Sequence, residues 1–114
     1  MGDRRPKIVV VDDHPDDLER LGAEIGGRYG EAYGVLVVSS PEEALDSLEA
    51  MRAGGERVAL VLASQWMKTM DGSDLLSQGR TLHPRAKRAL LISPDDWGFE
   101  RTADAIRGAI ASGC

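Results

Sequence analysis

The sequence predicts an α/β domain, a doubly wound parallel sheet with helices on both faces. Two observations predict it. Four apolar runs, at residues 8–11, 35–38, 58–63 and 89–92, are continuous rather than alternating. Such runs suit strands covered on both faces, whereas a strand with one wet face would alternate. Each run is followed, after a short connection, by apolar residues at helical spacing. Regular strand–helix alternation implies right-handed crossovers and a parallel sheet.

The first strand, IVVV at 8–11, is ended by Asp12 and Asp13. Pro15 suits a first helical turn, and Asp16 and Asp17 complement the helix dipole there. Leu18, Leu21 and Ile25 form the apolar stripe, and Gly26, Gly27 and Gly30 are expected to close the helix. The second strand, VLVV at 35–38, leads to Ser40. Ser40 and Glu43 form a capping box, in which the hydroxyl accepts from the Glu43 amide. Ala44, Leu45, Leu48 and Met51 carry the inner face of this helix, and Gly54 and Gly55 end it.

The third strand occupies 58–63 and is followed by a polar loop, 64–72. Leu75, Leu76 and Leu82 mark a helix that stops near Pro84. The fourth strand, at 89–92, passes through Ser93, Pro94, Asp95 and Asp96 into a helix carrying Ala103, Ile106, Ala109 and Ile110. Gly113 is a plausible stop for it.

Composition bounds the function. The 114 residues suit one domain, taken here as 1–114. The formal charge of −5 argues against non-specific nucleic-acid binding, which needs a basic surface. No apolar run approaches the roughly 20 residues of a membrane span, and the start of the chain does not read as a secretory signal. The one cysteine, Cys114, forms no intramolecular disulfide. A cytoplasmic protein is expected.

In a doubly wound sheet, chemistry sits at the carboxyl ends of the strands. Asp12 and Asp13 lie there, with Ser39, Ser40, Ser64 and Ser93. Two adjacent acids suit a hard oxygen-ligand cation such as Mg²⁺. Both can equally be helix-start residues. His14 and His83 read as surface loop residues.

The stretch IVVVDDHP at 8–15 resembles the first strand and acidic pair of response-regulator receiver domains. The loop QWMKTMDG at 65–72 is similar to the receiver loop after the third strand, with its Met-Asp-Gly ending. LLIS at 90–93 is similar to the fourth strand and its hydroxyl residue. The resemblance implies a flavodoxin-like sheet of order 2-1-3-4. It implies that Ser64 stands where receivers carry the phosphoaccepting aspartate, and that Ser93 is the switch hydroxyl. It implies a weak or vestigial Mg²⁺ site at Asp12 and Asp13, and otherwise no cofactor. A narrower resemblance, in RYGEAY at 28–33, the third strand and the Gln65-Trp66-Met67 loop, is to receiver modules fused ahead of thioredoxin-reductase-like flavoproteins in bacteria.

The chain departs from the pattern in three ways. A serine hydroxyl is neutral and a poor nucleophile without a base, whereas a carboxylate is already anionic and can ligate a metal. Lys68 stands where the family usually has proline. The family's fifth strand, with its lysine, and fifth helix have no counterpart after residues 109–114, so the domain is expected to be incomplete at its C-terminal side. Lys87 and Arg88 lie at the far end of the fourth strand and do not replace that lysine.

These features predict a non-enzymatic signalling or interaction module that does not accept phosphate. Trp66, Met67 and Trp97 are its expected contact residues, and exposed tryptophans often anchor interfaces. A protein partner or a second copy is expected along the fourth strand or helix, since an uncovered strand invites pairing. The alternatives are a Mg²⁺-dependent phosphoacceptor that uses Asp12, Asp13 or Asp71, and a regulatory module of a flavoprotein. Asp71 reads more simply as an N-cap. Flavin or nucleotide binding is disfavoured by the lack of a glycine-rich loop after the first strand.

Overall fold

The apolar runs become four parallel strands. The computed structural model describes residues 5–92, which form β1 (Lys7–Val11), α1 (Pro15–Tyr29), β2 (Gly34–Val38), α2 (Pro41–Ala53), β3 (Val58–Ser64), α3 (Gly72–Leu82) and β4 (Lys87–Leu91). The strand order is β2-β1-β3-β4, as the resemblance implied. Ser93, Trp97, the expected fourth helix and Cys114 lie outside the described residues.

The two periodicities explain the continuous apolar runs. Alternate residues of a strand point to opposite faces. Val9, Val11, Val61 and Ala63 pack with Ala44, Leu48 and Met51 of α2 and Leu75 of α3. Their neighbours Ile8, Val10, Leu60 and Leu62 pack with Ile25, Leu18 and Leu21 of α1. Both faces of the central strands are therefore buried. Fully burying an aliphatic side chain of this kind stabilises the fold by about 1.5–3 kcal/mol.

Local signals explain most element boundaries. Pro15 opens α1, and Pro41 opens α2. The Ser40 hydroxyl accepts from the Glu43 amide at 3.1 Å. Gly54 caps α2, and Gly55 turns the chain with φ 71°, a left-handed conformation that glycine adopts without strain.

Two expectations require correction. Gly26 and Gly27 do not end α1, which continues to Tyr29 with Gly30 as its cap. Tertiary packing of the Leu18–Leu21–Ile25 stripe overrides their weak helix propensity. The fourth strand ends at Leu91 rather than Ile92, while Lys87 and Arg88 lie at its start as expected and pair with Leu60 and Val61 of β3.

Candidate functional site

The carboxyl ends of β1 and β3 meet at the top of the sheet. Val11 pairs with Ala63, so Asp12 and Ser64 follow side by side as the strands end. Asp12 is held deep, its side chain only 6% exposed, while Ser64 is half-buried. Register alone places them, since a one-residue slip would move each to the opposite face.

Asp13 faces the loop between β3 and α3. Its Oδ2 accepts a hydrogen bond from the Lys68 amide at 2.7 Å. Its Oδ1 is buried and has no hydrogen-bond partner. His14 Nδ1 lies 3.2 Å from it, an ion pair only when the ring is protonated.

His14 is the site residue that sequence reasoning missed. It sits at the N-cap of α1, with its ring Nδ1 3.1 Å from Asp12 Oδ1. Its amide donates to the same oxygen at 3.0 Å. This contact raises the imidazole pKa above the ordinary 6.5: the Asp12 hydrogen bond acts most strongly, then the charges of Asp12, Asp13 and Asp17. Desolvation opposes the rise. A histidine directly after two acids was the available signal, because a residue one or two places on can fold back onto an Asx side chain.

Asp12, His14 and Asp17 present ligand atoms that all lie within 4.8 Å of one another. Asp12 ends the buried strand, His14 caps α1 and Asp17 stands in its first turn.

The β3–α3 loop is set by a tight approach. A Cβ on Gly72 would lie 2.3 Å from the Ser64 carbonyl oxygen and 2.8 Å from Leu90 Cδ1. Only glycine lets the start of α3 pack this closely against the end of β3. Asp71 occupies the N-cap position but makes no side-chain cap bond. Gln65 does that work: its carbonyl accepts from the Gly72 amide and its Oε1 from the Ser73 amide, both at 3.0 Å. Thr69 ties the same loop to α2 by donating to Glu42 at 2.7 Å.

The expected contact residues separate. Trp66 is 58% exposed, while Met67 is 8% exposed and packs in the α2/α3 core. Met67 is therefore an anchor of the loop and not part of its outer surface, because neighbouring loop residues here point in opposite directions. His83 is also more than a surface residue, since its Nε2 contacts the Leu48 carbonyl at 2.7 Å and joins α3 to α2.

No family model matches the chain, and no curated protein matches it. Solved structures do. A response regulator receiver domain protein (CheY-like) from Methanospirillum hungatei JF-1 is 25% identical, with a TM-score of 0.62, over 89% of this chain and 77% of that one. A signal receiver domain of an HD domain-containing protein from Pseudomonas fluorescens Pf-5 is 23% identical, with a TM-score of 0.69, over 99% and 92%. The chain has a response-regulator receiver fold. An adenylate cyclase from Rhodopirellula baltica shares that fold, at 18% identity and a TM-score of 0.67 over 96% and 87%.

Receiver sites are acidic pockets, and the donors here fit Mg²⁺ only in part. The orphaned Asp13 Oδ1 and the buried Asp12 carboxylate are hard oxygen donors. The end of β3 offers the neutral Ser64 hydroxyl instead of a third carboxylate, and the His14 ring stands between the two Oδ1 atoms.

Proposed function

We propose that this chain is a receiver-type signalling module that does not take up a phosphoryl group and works through protein contacts. The carrying observation is Ser64 at the end of β3, beside Asp12, where the receiver resemblance calls for the accepting aspartate. Acyl phosphate chemistry needs a carboxylate, and a serine needs a base to act as a nucleophile. The His14 ring is engaged by Asp12, and no contact among the described residues joins it to Ser64. Any Mg²⁺ held by Asp12 and Asp13 is weak, since one carboxylate fewer is available. The reading is non-enzymatic. No described helix is long and apolar enough to cross a membrane, which is compatible with a cytoplasmic signalling role.

Contact with a protein partner or a second copy is proposed through two features. Trp66 stands exposed on the β3–α3 loop, and β4 lies at one end of the described sheet. The Trp97 and α4 parts of this surface lie outside the described residues.

The test treats the full chain with Mg²⁺ and a small phosphodonor, then with beryllofluoride. An unchanged intact mass and unshifted strand-end amides are expected. An acid-labile adduct mapped to Asp12, Asp13 or Asp71, or widespread shifts at the strand ends, would overturn the reading.

A further inference from the structure

We propose that two copies of this chain pair through the β2 edge, strand against antiparallel strand, about a twofold axis at Leu36. This surface is separate from the Trp66 loop and does not depend on whether Ser64 accepts a phosphoryl group.

The backbone is the first support. β2 ends the described sheet, and among the described residues only β1 pairs with it. The Gly34 amide donates to the Pro6 carbonyl, and the Val38 carbonyl accepts from the Asp12 amide. Successive residues of a strand turn their N–H and C=O groups to alternate sides, so Gly34, Leu36 and Val38 face β1. Val35 and Val37 therefore face outward, and their backbone groups form a template for another strand.

The side chains are the second, independent observation. Val37 is 43% exposed, and Trp66 is the other large apolar side chain exposed among the described residues. The Val37 Cγ1 lies against α1, where a Cβ on Gly22 would stand 2.8 Å from it. α1 closes that side of Val37, and the open strand edge is left for contact. Edge strands are ordinarily protected by charge, proline or a bulge. Residues 32–40, AYGVLVVSS, hold no charge and no proline, and the register with β1 runs without a break from Gly34 to Val38. At the other end of the described sheet, β4 begins with Lys87 and Arg88.

Self-complementarity names the occupant. Antiparallel pairing about Leu36 sets Val35 of one copy opposite Val37 of the second copy. Each such pair exchanges both of its N–H···O bonds, which satisfies the outward groups of both strands. The same pairing brings valine against valine on the α1 face, where Val35 already packs. Two copies of net charge −5 repel in general, but this uncharged edge sets no charge opposite a like charge. A twofold axis makes the contact isologous and closed, so it stops at a dimer. An edge of five residues is small beside a standard interface, so the dimer is weak, with a dissociation constant on the order of 100 µM.

The test is sedimentation equilibrium of the full chain under reducing conditions, so that Cys114 cannot link two copies, from about 10 µM to about 1 mM. The mean mass is expected to rise from 12.3 kDa toward twice that value. Val37→Lys, at an exposed position that leaves the core intact, weakens association about tenfold or more, while Trp66→Ala leaves it unchanged. Amide hydrogen exchange of the unsubstituted chain reads the register directly. The Val35 and Val37 amides slow about threefold or more with rising concentration, whereas the Leu36 amide, already turned to β1, does not change. A constant monomer mass overturns the proposal. So does a dimer that survives Val37→Lys, one that is lost with Trp66→Ala, or exchange at Val35 and Val37 that is independent of concentration.

Discussion

Asp13 and Lys68 are 55 residues apart, yet the Asp13 carboxylate accepts the Lys68 amide hydrogen bond at 2.7 Å. This bond ties the β3–α3 loop to the end of β1. The loop carries Trp66 on its outer side and Met67 on its inner side. The loop that exposes Trp66 is therefore pinned by one of the acidic pair.

Asp13→Ala should loosen the loop without unfolding the sheet. A hydrogen bond to a charged acceptor contributes about 1.5–3 kcal/mol, reduced here because Lys68 is exposed and because Asp12 loses a like-charged neighbour. A net loss of about 1 kcal/mol is expected. Hydrogen exchange at the Lys68 amide should accelerate by roughly tenfold, while amides in β1 and β3 stay protected. An unchanged Lys68 rate would show that the loop is held by Gln65 and Thr69 alone.

Gly72 and Gly26 should respond oppositely to alanine. At Gly72 the new Cβ meets the Ser64 backbone, which cannot give way. Gly72→Ala is expected to destabilise by about 2 kcal/mol or more. Gly26 lies inside α1 with open space around it, so Gly26→Ala should stabilise by about 0.5–1 kcal/mol. Urea denaturation midpoints of the two variants check both signs.

Adjacent residues Trp66 and Met67 should likewise diverge. Met67→Ala removes a core side chain and is expected to destabilise by about 2–4 kcal/mol. Trp66→Ala should change stability by no more than about 0.5 kcal/mol, because the ring is largely solvated. Thermal unfolding of each variant measures the contrast. A large stability loss at Trp66 would mean that the ring packs on the chain and is not a free contact residue.

His14 should titrate above its ordinary 6.5, because Asp12 favours the protonated ring. The sign of the linkage follows. The folded pKa lies above the unfolded one, so the stabilising contact is fully present below about 6.5 and is lost as pH rises through the folded value. NMR titration of the imidazole measures it, and Asp12→Asn should bring the midpoint back toward 6.5. A midpoint at or below 6.5 in the native chain would contradict the contact.

The strand–helix alternation was legible because it depends on local pattern. Residues 8–11 read as buried on both faces, and the structure divides them between α2/α3 and α1. Ser40 announced its helix through a bond that spans three residues. The end of α1 was misplaced because Gly26 and Gly27 carry a local stop signal that packing of Leu18, Leu21 and Ile25 outweighs.

The candidate site was only half legible. Asp12, Asp13 and Ser64 follow from sequence position, since the end of a strand is where a doubly wound sheet opens. The sequence by itself thus determined the layers, the strand ends and the residue types presented there. The sequence also held the local signal for His14 folding onto Asp12, two residues away, whereas tertiary structure alone decided that Met67 turns inward and that the Lys68 amide reaches Asp13. The physical reason is range. Burial periodicity is set by neighbours a few residues apart, whereas these partnerships depend on how right-handed crossovers bring distant strand ends and loops within hydrogen-bond distance.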